Sequence, residues 1–283
     1  MNYRHAYHAG NFADVHKHAV LALVLAHLSA KVTPFRVVDT HAGIGRYDLA
    51  AVEAEKTGEW TAGIGRLLGE DSAPIPDEIT PLLAAYLDAV RAENADGVLR
   101  WYPGSPRIAR SLLRPDDRLI AVELHPEDTQ ALAAEFRRDR QVKVLAIDAW
   151  HALKSLLPPK ERRGLVLIDP PYESTTEVDD TFAGLRAGLR RFANGIFMLW
   201  YPIKATASAL DMQARLAQLE VDKLLISELV VRRPDGDGRL HGSGLALVNP
   251  PFQLRAQLDV LLPFLAARLS QGKGATHRLE ARM

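Results

Sequence analysis

The sequence predicts an α/β protein: a mostly parallel, Rossmann-like sheet with helices on both faces, a terminal antiparallel hairpin and an inserted helical segment. Two observations carry this expectation. From Leu119 onward, short apolar runs alternate four times with amphipathic stretches, the rhythm of strand–helix units in a parallel sheet. Carboxylates stand at or just beyond the ends of these runs, at Glu123, Asp148 and Asp169, and Asp39 ends an earlier one. Ligands of open α/β sheets sit beyond the carboxyl ends of the strands, where strand order reverses.

Composition narrows the classes. At 283 residues the chain is long enough for one large domain with an insertion. Hydrophobic residues make up 47% and charged residues 25%, which excludes a disordered chain. Lys+Arg and Asp+Glu both number 35, so there is no generally basic nucleic-acid coat, although a local basic face stays open. With no cysteine, disulfides, thiolate zinc sites and a thiol nucleophile are excluded. The longest apolar run, Ala19 to Leu25, is far short of the ~20 residues of a membrane span. The opening Met1-Asn2-Tyr3-Arg4-His5 lacks signal-peptide shape. A soluble, cytoplasmic protein without membrane association is expected.

Taken in order, apolar residues Val15, Ala19, Ala22, Leu23 and Ala26 recur at helical spacing and predict a helix from Phe12 to Ala30. Pro34 breaks it, Phe35 to Asp39 reads as a strand, and Thr40 to Arg46 is a glycine-containing turn with a helix expected after it. From Ala51 to Gly104 the pattern is helical, with Leu82, Leu83, Tyr86, Leu87 and Val90 on one face and no strand until Leu99 to Tyr102. Ser105-Pro106 starts a helix, with Ser105 as N-cap and Pro106 at the first helical position. Strands follow at Leu119–Glu123, Val142–Ile147, Leu165–Ile168 and Gly195–Trp200. Helices are expected at Glu127–Arg138, from Ala149, at Thr181–Arg191 and at Ala205–Leu219. Lys223–Val231 and Ser243–Val248, joined through a turn at Pro234–Gly238, form the hairpin. A last helix runs from Gln253 to Leu269, and the tail after Gln271 is expected to be loose. The expected division is a Rossmann-like domain over 1–50 and 105–283 and a helical subdomain over 51–104.

Asp39-Thr40-His41-Ala42-Gly43-Ile44-Gly45 follows a strand, so Gly43 and Gly45 would let backbone approach a ligand, and Asp39 would accept from an amino group. Asp48 replaces the third glycine of the dinucleotide fingerprint. The string Ala42-Gly43-Ile44-Gly45-Arg46 recurs as Ala62-Gly63-Ile64-Gly65-Arg66, but no strand precedes the second copy, which reads as a helix-start turn. Glu123, 78 residues beyond Gly45, is a candidate for ribose hydroxyls, with the helical segment accounting for the long separation. Asp148 is a candidate for an adenine amino group, with the Ala149 amide beside it, and it also suits a helix N-cap. Lys17 or His18 would meet a ligand carboxylate. Ser105 is a cap or a cofactor contact. His5, His8, His16 and His18 do not form, with acids, a one-faced set of metal geometry, so no metal is expected.

Asp169-Pro170-Pro171-Tyr172 suits chemistry on an exocyclic adenine amine, whose lone pair is conjugated into the ring. The Asp169 carboxylate and the Pro170 carbonyl can each accept one N–H and free that lone pair. The prolines stiffen the loop and remove backbone donors. Tyr172 offers a face for an extruded base, and the fitting methyl donor is a sulfonium. Asn249-Pro250-Pro251-Phe252 matches the same pattern, but it follows the expected hairpin, so Asp169 is taken as the catalytic copy.

Tyr3-Arg4-His5, His8-Ala9-Gly10-Asn11, Asp14-Val15, Lys17-His18, Asp39-Thr40-His41-Ala42-Gly43, Tyr102-Pro103-Gly104-Ser105-Pro106, Glu123-Leu124-His125-Pro126 and Asp169-Pro170-Pro171-Tyr172 together resemble the RlmJ family. These are bacterial 23S ribosomal RNA adenine-N6 methyltransferases, and the resemblance covers nearly the whole chain. It implies a class I S-adenosylmethionine-dependent methyltransferase fold with an inserted helical subdomain. It implies that His18, His41, Ser105, Glu123 and Asp148-Ala149 touch S-adenosylmethionine, that Asp169 is catalytic and that Tyr3 lies close to the target base. Ala149 stands where the family commonly has glycine, which a backbone contact survives. The ribosomal substrate rests on the resemblance alone.

The expected partner is therefore 23S rRNA presenting a single-stranded or locally opened adenine to a monomeric enzyme. Candidate phosphate contacts are Arg4, Lys17, Arg162, Arg163, Arg190, Arg191, Arg232 and Arg233, and zero net charge implies modest, salt-sensitive affinity for naked RNA. Three rivals stand beside this reading. Asp-Pro-Pro-Tyr does not distinguish RNA from DNA, so a DNA adenine-N6 methyltransferase is the nearest. A non-catalytic nucleic-acid-binding protein on the same fold is disfavoured by the intact carboxylate at Asp169. A dehydrogenase is disfavoured by the absent third glycine.

Overall fold

The computed structural model describes residues 4–174, 176–234 and 238–282. Tyr3 and the centre of the predicted Pro234–Gly238 turn lie outside the described residues.

Helix α1 (Phe12–Ser29) begins at Asn11, whose side chain accepts from the Ala13 and Asp14 amides. It is buried almost all round, His16, Lys17 and His18 included. Strand β1 (Arg36–Asp39) follows. The helix expected after the glycine turn is instead strand β2 (Arg46–Asp48), paired antiparallel with β3 (Trp101–Pro103). Gly43 and Gly45, at φ +61° and +85°, turn the chain away from helical geometry before Arg46. Between these two strands lie α2 (Val52–Thr57), α3 (Gly65–Leu68) and α4 (Thr80–Ala92). The second Ala-Gly-Ile-Gly-Arg copy is indeed a turn into a helix: the Ile64 amide donates to the Gly10 carbonyl and α3 starts at Gly65. The face of α4 read from the periodicity is the buried one, through Leu83, Tyr86, Leu87 and Val90.

The regular part then runs α5 (Ser105–Ser111), β4 (Arg118–Val122), α6 (Pro126–Glu135), β5 (Val142–Leu145), α7 (Ala149–Ser155), β6 (Gly164–Ile168) and α8 (Glu177–Arg191). It ends with β7 (Ile196–Ile203), α9 (Thr206–Ala217), β8 (Leu224–Val230), β9 (Gly242–Val248), α10 (Leu254–Arg268) and β10 (Thr276–Arg282). The cap of α5 is Gly104 rather than Ser105, whose hydroxyl is drawn to Asp39 instead. The tail expected to be loose is β10, an antiparallel edge strand on β8. Its charged Arg278, Glu280 and Arg282 alternate with Leu279 and Ala281, which pack on the core, a pattern suited to an edge.

The eight-stranded order is β10-β8-β9-β7-β6-β1-β4-β5. Neighbours from β5 to β7 pair in parallel, and β9 and β10 run against them. Helices α1, α5 and α10 cover one face, with α4 packed on the outside of α1; α7, α8 and α9 cover the other. The chain steps from β1 to β4 and β5 on one side and to β6 on the other. Strand order therefore reverses at β1 and β6, and a crevice opens above their carboxyl ends.

Gly164 sets the closeness of that pair: it faces Arg36 in register, and a Cβ there would lie 1.9 Å from the Arg36 carbonyl oxygen. Gly164→Ala is expected to destabilise the protein by about 2 kcal/mol or more through this clash. Urea unfolding checks it, and a loss under ~0.5 kcal/mol would show that the strands do not approach so closely.

Candidate functional site

The crevice is a cleft of about 1070 Å³ that collects the loops after β1, β4, β5 and β6, the inner face of α1 and Trp200 of β7. Gly43 lies where a Cβ would meet the Tyr47 hydroxyl at 2.2 Å, so only glycine fits, and its amide donates to Glu123 Oε2 at 2.9 Å. Glu123 Oε1 accepts from the His125 amide at 2.8 Å, so two backbone amides hold this carboxylate at the cleft wall. Leu124 beside it is half exposed, an apolar surface that sequence reasoning passes over although it directly follows the strand-end acid. Asp148 caps α7 by accepting from the His151 amide at 2.8 Å, with Ala149 buried behind it, and both line the cleft.

Asp39 is fully buried and accepts the Ser105 hydroxyl at 2.6 Å. Burial pushes its carboxyl up to about 7, with the Ser105 hydrogen bond opposing. The sequence pairs it with an amino group; here a hydroxyl of the chain occupies one oxygen. His41 ties two loops together, since its Nδ1 lies 3.4 Å from the donating Asp169 amide. Burial pushes the His41 imidazole down to about 4, so it is neutral at pH 7.

Lys17 departs from expectation. Sequence position makes it a partner for a ligand carboxylate, yet its ammonium donates to two carboxylates of the chain, Asp169 Oδ2 at 2.5 Å and Asp14 Oδ1 at 2.9 Å. Burial opposes the charge, but these two carboxylates outweigh it and hold the ammonium above its ordinary range. Asp14 also accepts from His5 Nε2 and the Gly10 amide, each at 2.9 Å. Sequence reasoning gives Asp14 no role of its own, and the signal that could have found it is an acid three residues before Lys17 on a helix of apolar residues. His18 is buried, with Nδ1 2.7 Å from the Tyr102 hydroxyl and Nε2 without a hydrogen-bond partner among the described residues. His16 faces the core, between the hydroxyls of Ser227 and Ser243.

Asp169 and Pro170 stand directly above β6, next to the β1 loop as the reversal of strand order requires. Tyr172, at φ +53°, donates its hydroxyl to the Trp200 carbonyl at 3.0 Å, and the two rings lie 6.0 Å apart at 60°. The rival Asn249 is at the opposite edge of the sheet. Because β9 runs against β7, Val248 pairs with Phe197, and Asn249 Nδ2 donates to the Ala193 and Gly195 carbonyls at 2.8 Å. Arg162, Arg163, Arg190 and Arg191 lie at that far edge too: Arg163 donates to the Leu28 and Thr33 carbonyls and Arg191 to the Leu157 carbonyl. Of the basic candidates, Lys17 is buried, Arg4 pairs with Glu127 and Asp128, and Arg232 lines the cleft. Lys204 and Arg239, which the sequence does not flag, line it as well.

A glycine turn and strand-end acid at the switch point, in a sheet whose antiparallel β9 is inserted beside β7, define a class I S-adenosylmethionine-dependent methyltransferase. The comparisons narrow this. Residues 32–280 match the family model described as RsmJ: Ribosomal RNA large subunit methyltransferase D, RlmJ, and the chain belongs to that family. It is 44% identical to the Escherichia coli K12 protein named Ribosomal RNA large subunit methyltransferase J, over 95% of this chain and 94% of that one. It is 42% identical to the Haemophilus influenzae protein of the same name, over 97% and 96%. Among solved structures, protein LPL1258 from Legionella pneumophila superposes with a TM-score of 0.86 at 32% identity, over 97% of this chain and 98% of that one.

The cleft fits the cofactor of this class. The Gly43 turn has room for no side chain, Glu123 is presented by backbone amides, and the buried Nε2 of His18 lacks a partner among the described residues.

Asp39 carries a sign-definite consequence. Its unfolded value is ~3.9, so from about pH 4 to about pH 7 the folded state holds a proton that the unfolded state has lost. The stability contributed by this carboxyl therefore falls as pH rises through that window and is constant above it. Asp39→Asn removes the effect, so the variant's stability relative to the parent is expected to rise from pH 5 to pH 7. Urea unfolding at pH 5, 6, 7 and 8 measures it, and a flat or falling difference would contradict the burial of an acid there.

Proposed function

We propose that this methyltransferase acts on the N6 amine of an adenine in 23S ribosomal RNA, with the base turned into a slot between Asp169-Pro170 and the Tyr172 and Trp200 rings. The ribosomal substrate is supported by membership of a family described as ribosomal RNA large subunit methyltransferases. The observation that carries the chemistry is the Asp169 carboxylate, one oxygen held by Lys17 and the other left for a substrate N–H, directly beside the glycine turn.

S-adenosylmethionine supplies an electrophilic methyl group carried on sulfonium. The chain does the rest. Asp169 Oδ1 would accept one N6–H and the Pro170 carbonyl the other, drawing the nitrogen toward a pyramidal geometry and freeing its lone pair. As N–CH3 formed, the S–CH3 bond would break with its electron pair left on sulfur, and the surplus N6 proton would pass to Asp169 or water. Lys17 fixes the orientation of the carboxylate from its far oxygen. Pro170 and Pro171 present no N–H to compete. Tyr172 and Trp200 flank the base. Gly43, Glu123, Asp148 and Ala149 would hold the nucleoside end of the cofactor; His18, His41 and Ser105 would hold the amino-acid end.

Helix α4 packs on α1 and α5 rather than on the eight-stranded sheet, which supports a helical subdomain over 51–104 carried by a methyltransferase domain over 1–50 and 105–283. Among the described residues no helix is long and apolar enough to cross a membrane. The enzyme works as a monomer in the cytoplasm, where ribosomal RNA is made.

One assay tests this reading. Matched 23S rRNA fragments and DNA of the same sequence are incubated with labelled donor, and the products are digested for mass spectrometry. N6-methyladenosine in RNA alone is expected, and no transfer, or transfer to DNA alone, would overturn the proposal. In the same assay Asp169→Ala is expected to abolish transfer while holding cofactor affinity within about tenfold, ~1.4 kcal/mol. Asn249→Ala is expected to leave activity largely intact, and the reverse pattern would make Asn249 the catalytic copy.

A further inference from the structure

The inserted helices reach the cofactor cleft through one buried polar chain. The Tyr86 hydroxyl on α4 lies 3.0 Å from the Tyr102 hydroxyl on β3, and Tyr102 lies 2.7 Å from Nδ1 of His18 on α1. Tyr86 and Tyr102 are fully buried and His18 is 1% exposed, so the hydroxyl pair is shut off from bulk solvent. Tyr102 lies stacked beside the imidazole, with ring centroids 5.7 Å apart and an interplanar angle of 27°. On the far side of the ring, Nε2 has no hydrogen-bond partner among the described residues; it lies 3.9 Å from Asp14 Oδ1, and His18 lines the cleft.

Three protons share two hydrogen bonds in this chain, so each arrangement leaves one proton over, and the arrangements differ in where that proton falls. If Tyr86 donates to Tyr102 and Tyr102 donates to Nδ1, both hydroxyl protons are bonded and the imidazole proton sits on Nε2. If the order is reversed, Nδ1–H donates to Tyr102, Tyr102 donates to Tyr86, and the Tyr86 proton is stranded in the core. If Tyr102 accepts from both sides, its own proton is stranded. A proton left over among the tyrosines meets no further acceptor among the described residues, whereas one on Nε2 is 3.9 Å from Asp14 Oδ1 and at the cleft, where a ligand can accept it. The Asp14 carboxylate near Nε2 adds to the preference, because it favours a proton over a lone pair facing it. Burial holds the ring neutral, so it carries one proton and the choice is between two tautomers.

We infer that the Tyr86–Tyr102 hydroxyl pair sets the tautomer of His18 and aims an Nε2–H donor into the cleft, where it receives the carboxylate of the S-adenosylmethionine amino-acid end. The inference rests on the reading of this cleft as the cofactor site. Tyr86 and Tyr102 are positioning residues, since both act through His18. The helical segment thereby has a role in cofactor selection beyond covering α1: it makes the site discriminate for an anionic group.

The tautomer is read directly from 15N-histidine NMR of the ligand-free protein. His18 is expected to carry its proton on Nε2, and a proton on Nδ1 would overturn the inference whatever the variants do. Calorimetry then compares two ligands that differ in the amino-acid end: S-adenosylhomocysteine, which has the carboxylate, and 5′-methylthioadenosine, which lacks it. Tyr102→Phe is expected to weaken S-adenosylhomocysteine about tenfold while 5′-methylthioadenosine stays within about twofold. Tyr86→Phe is expected to give a smaller loss with the same ligand dependence. Equal weakening of both ligands would show a merely structural role, and a Tyr86→Phe variant identical to the parent would remove Tyr86 from the chain. A parent protein that binds neither ligand would overturn the cofactor reading itself, which the NMR result would leave separate.

Discussion

The site depends on one buried cation. Lys17 lies on a helix that is packed nearly all round, and its ammonium is tolerated there because Asp14 and Asp169 both reach it. A buried charge stripped of its partner costs several kcal/mol, so this three-way contact cannot loosen without penalty. It joins α1 to the loop above β6 across 152 residues of sequence. Asp14 in turn receives His5 and the Gly10 amide, which brings the segment before α1 to the same point. The Asp169 carboxylate is therefore held from behind by a lysine of the buried helix α1.

The sheet delivers the other half. With β1 and β6 adjacent and parallel, the glycine turn and Asp169 emerge side by side, and no loop has to span the distance between them. His41 braces the two loops, and the buried Asp39–Ser105 contact draws the start of α5 to the same edge. The glycine turn and Asp169 thus share one wall of the cleft, as the proposed transfer between two bound molecules requires.

Much of this is legible in the chain. The central strands announce themselves as apolar runs bounded by turns, and Asp39, Glu123, Asp148 and Asp169 stand at or just beyond strand ends, the last three lining the cleft. Position alone separates Asp169 from Asn249, and the antiparallel path of β9 explains why: the second motif leaves the sheet on the far side. Other features are hidden for physical reasons. β2 is three residues long, too short for a period, and β10 is an edge whose charges mask its alternation. The partner of Lys17 is misread because a lysine near a cleft suggests a ligand, and no local pattern reveals a contact with a loop so far along the chain. The same holds for the tyrosine pair behind His18. Arg163 and Arg191, named among possible phosphate contacts, donate to backbone carbonyls at the end of the sheet away from the cleft, which no local pattern announces.

The central proposal is that Lys17 serves the Asp169 carboxylate, the proposed catalytic group, and not the cofactor. The decisive measurement is the single-turnover rate of methyl transfer in Lys17→Met, set beside its affinity for S-adenosylmethionine by calorimetry. A fall in rate of about a hundredfold or more, with affinity within about tenfold, is expected when Asp169 loses its brace. An affinity that collapses while the rate at saturating cofactor is kept would contradict the claim, because the ammonium would then be holding the cofactor while Asp169 works without it.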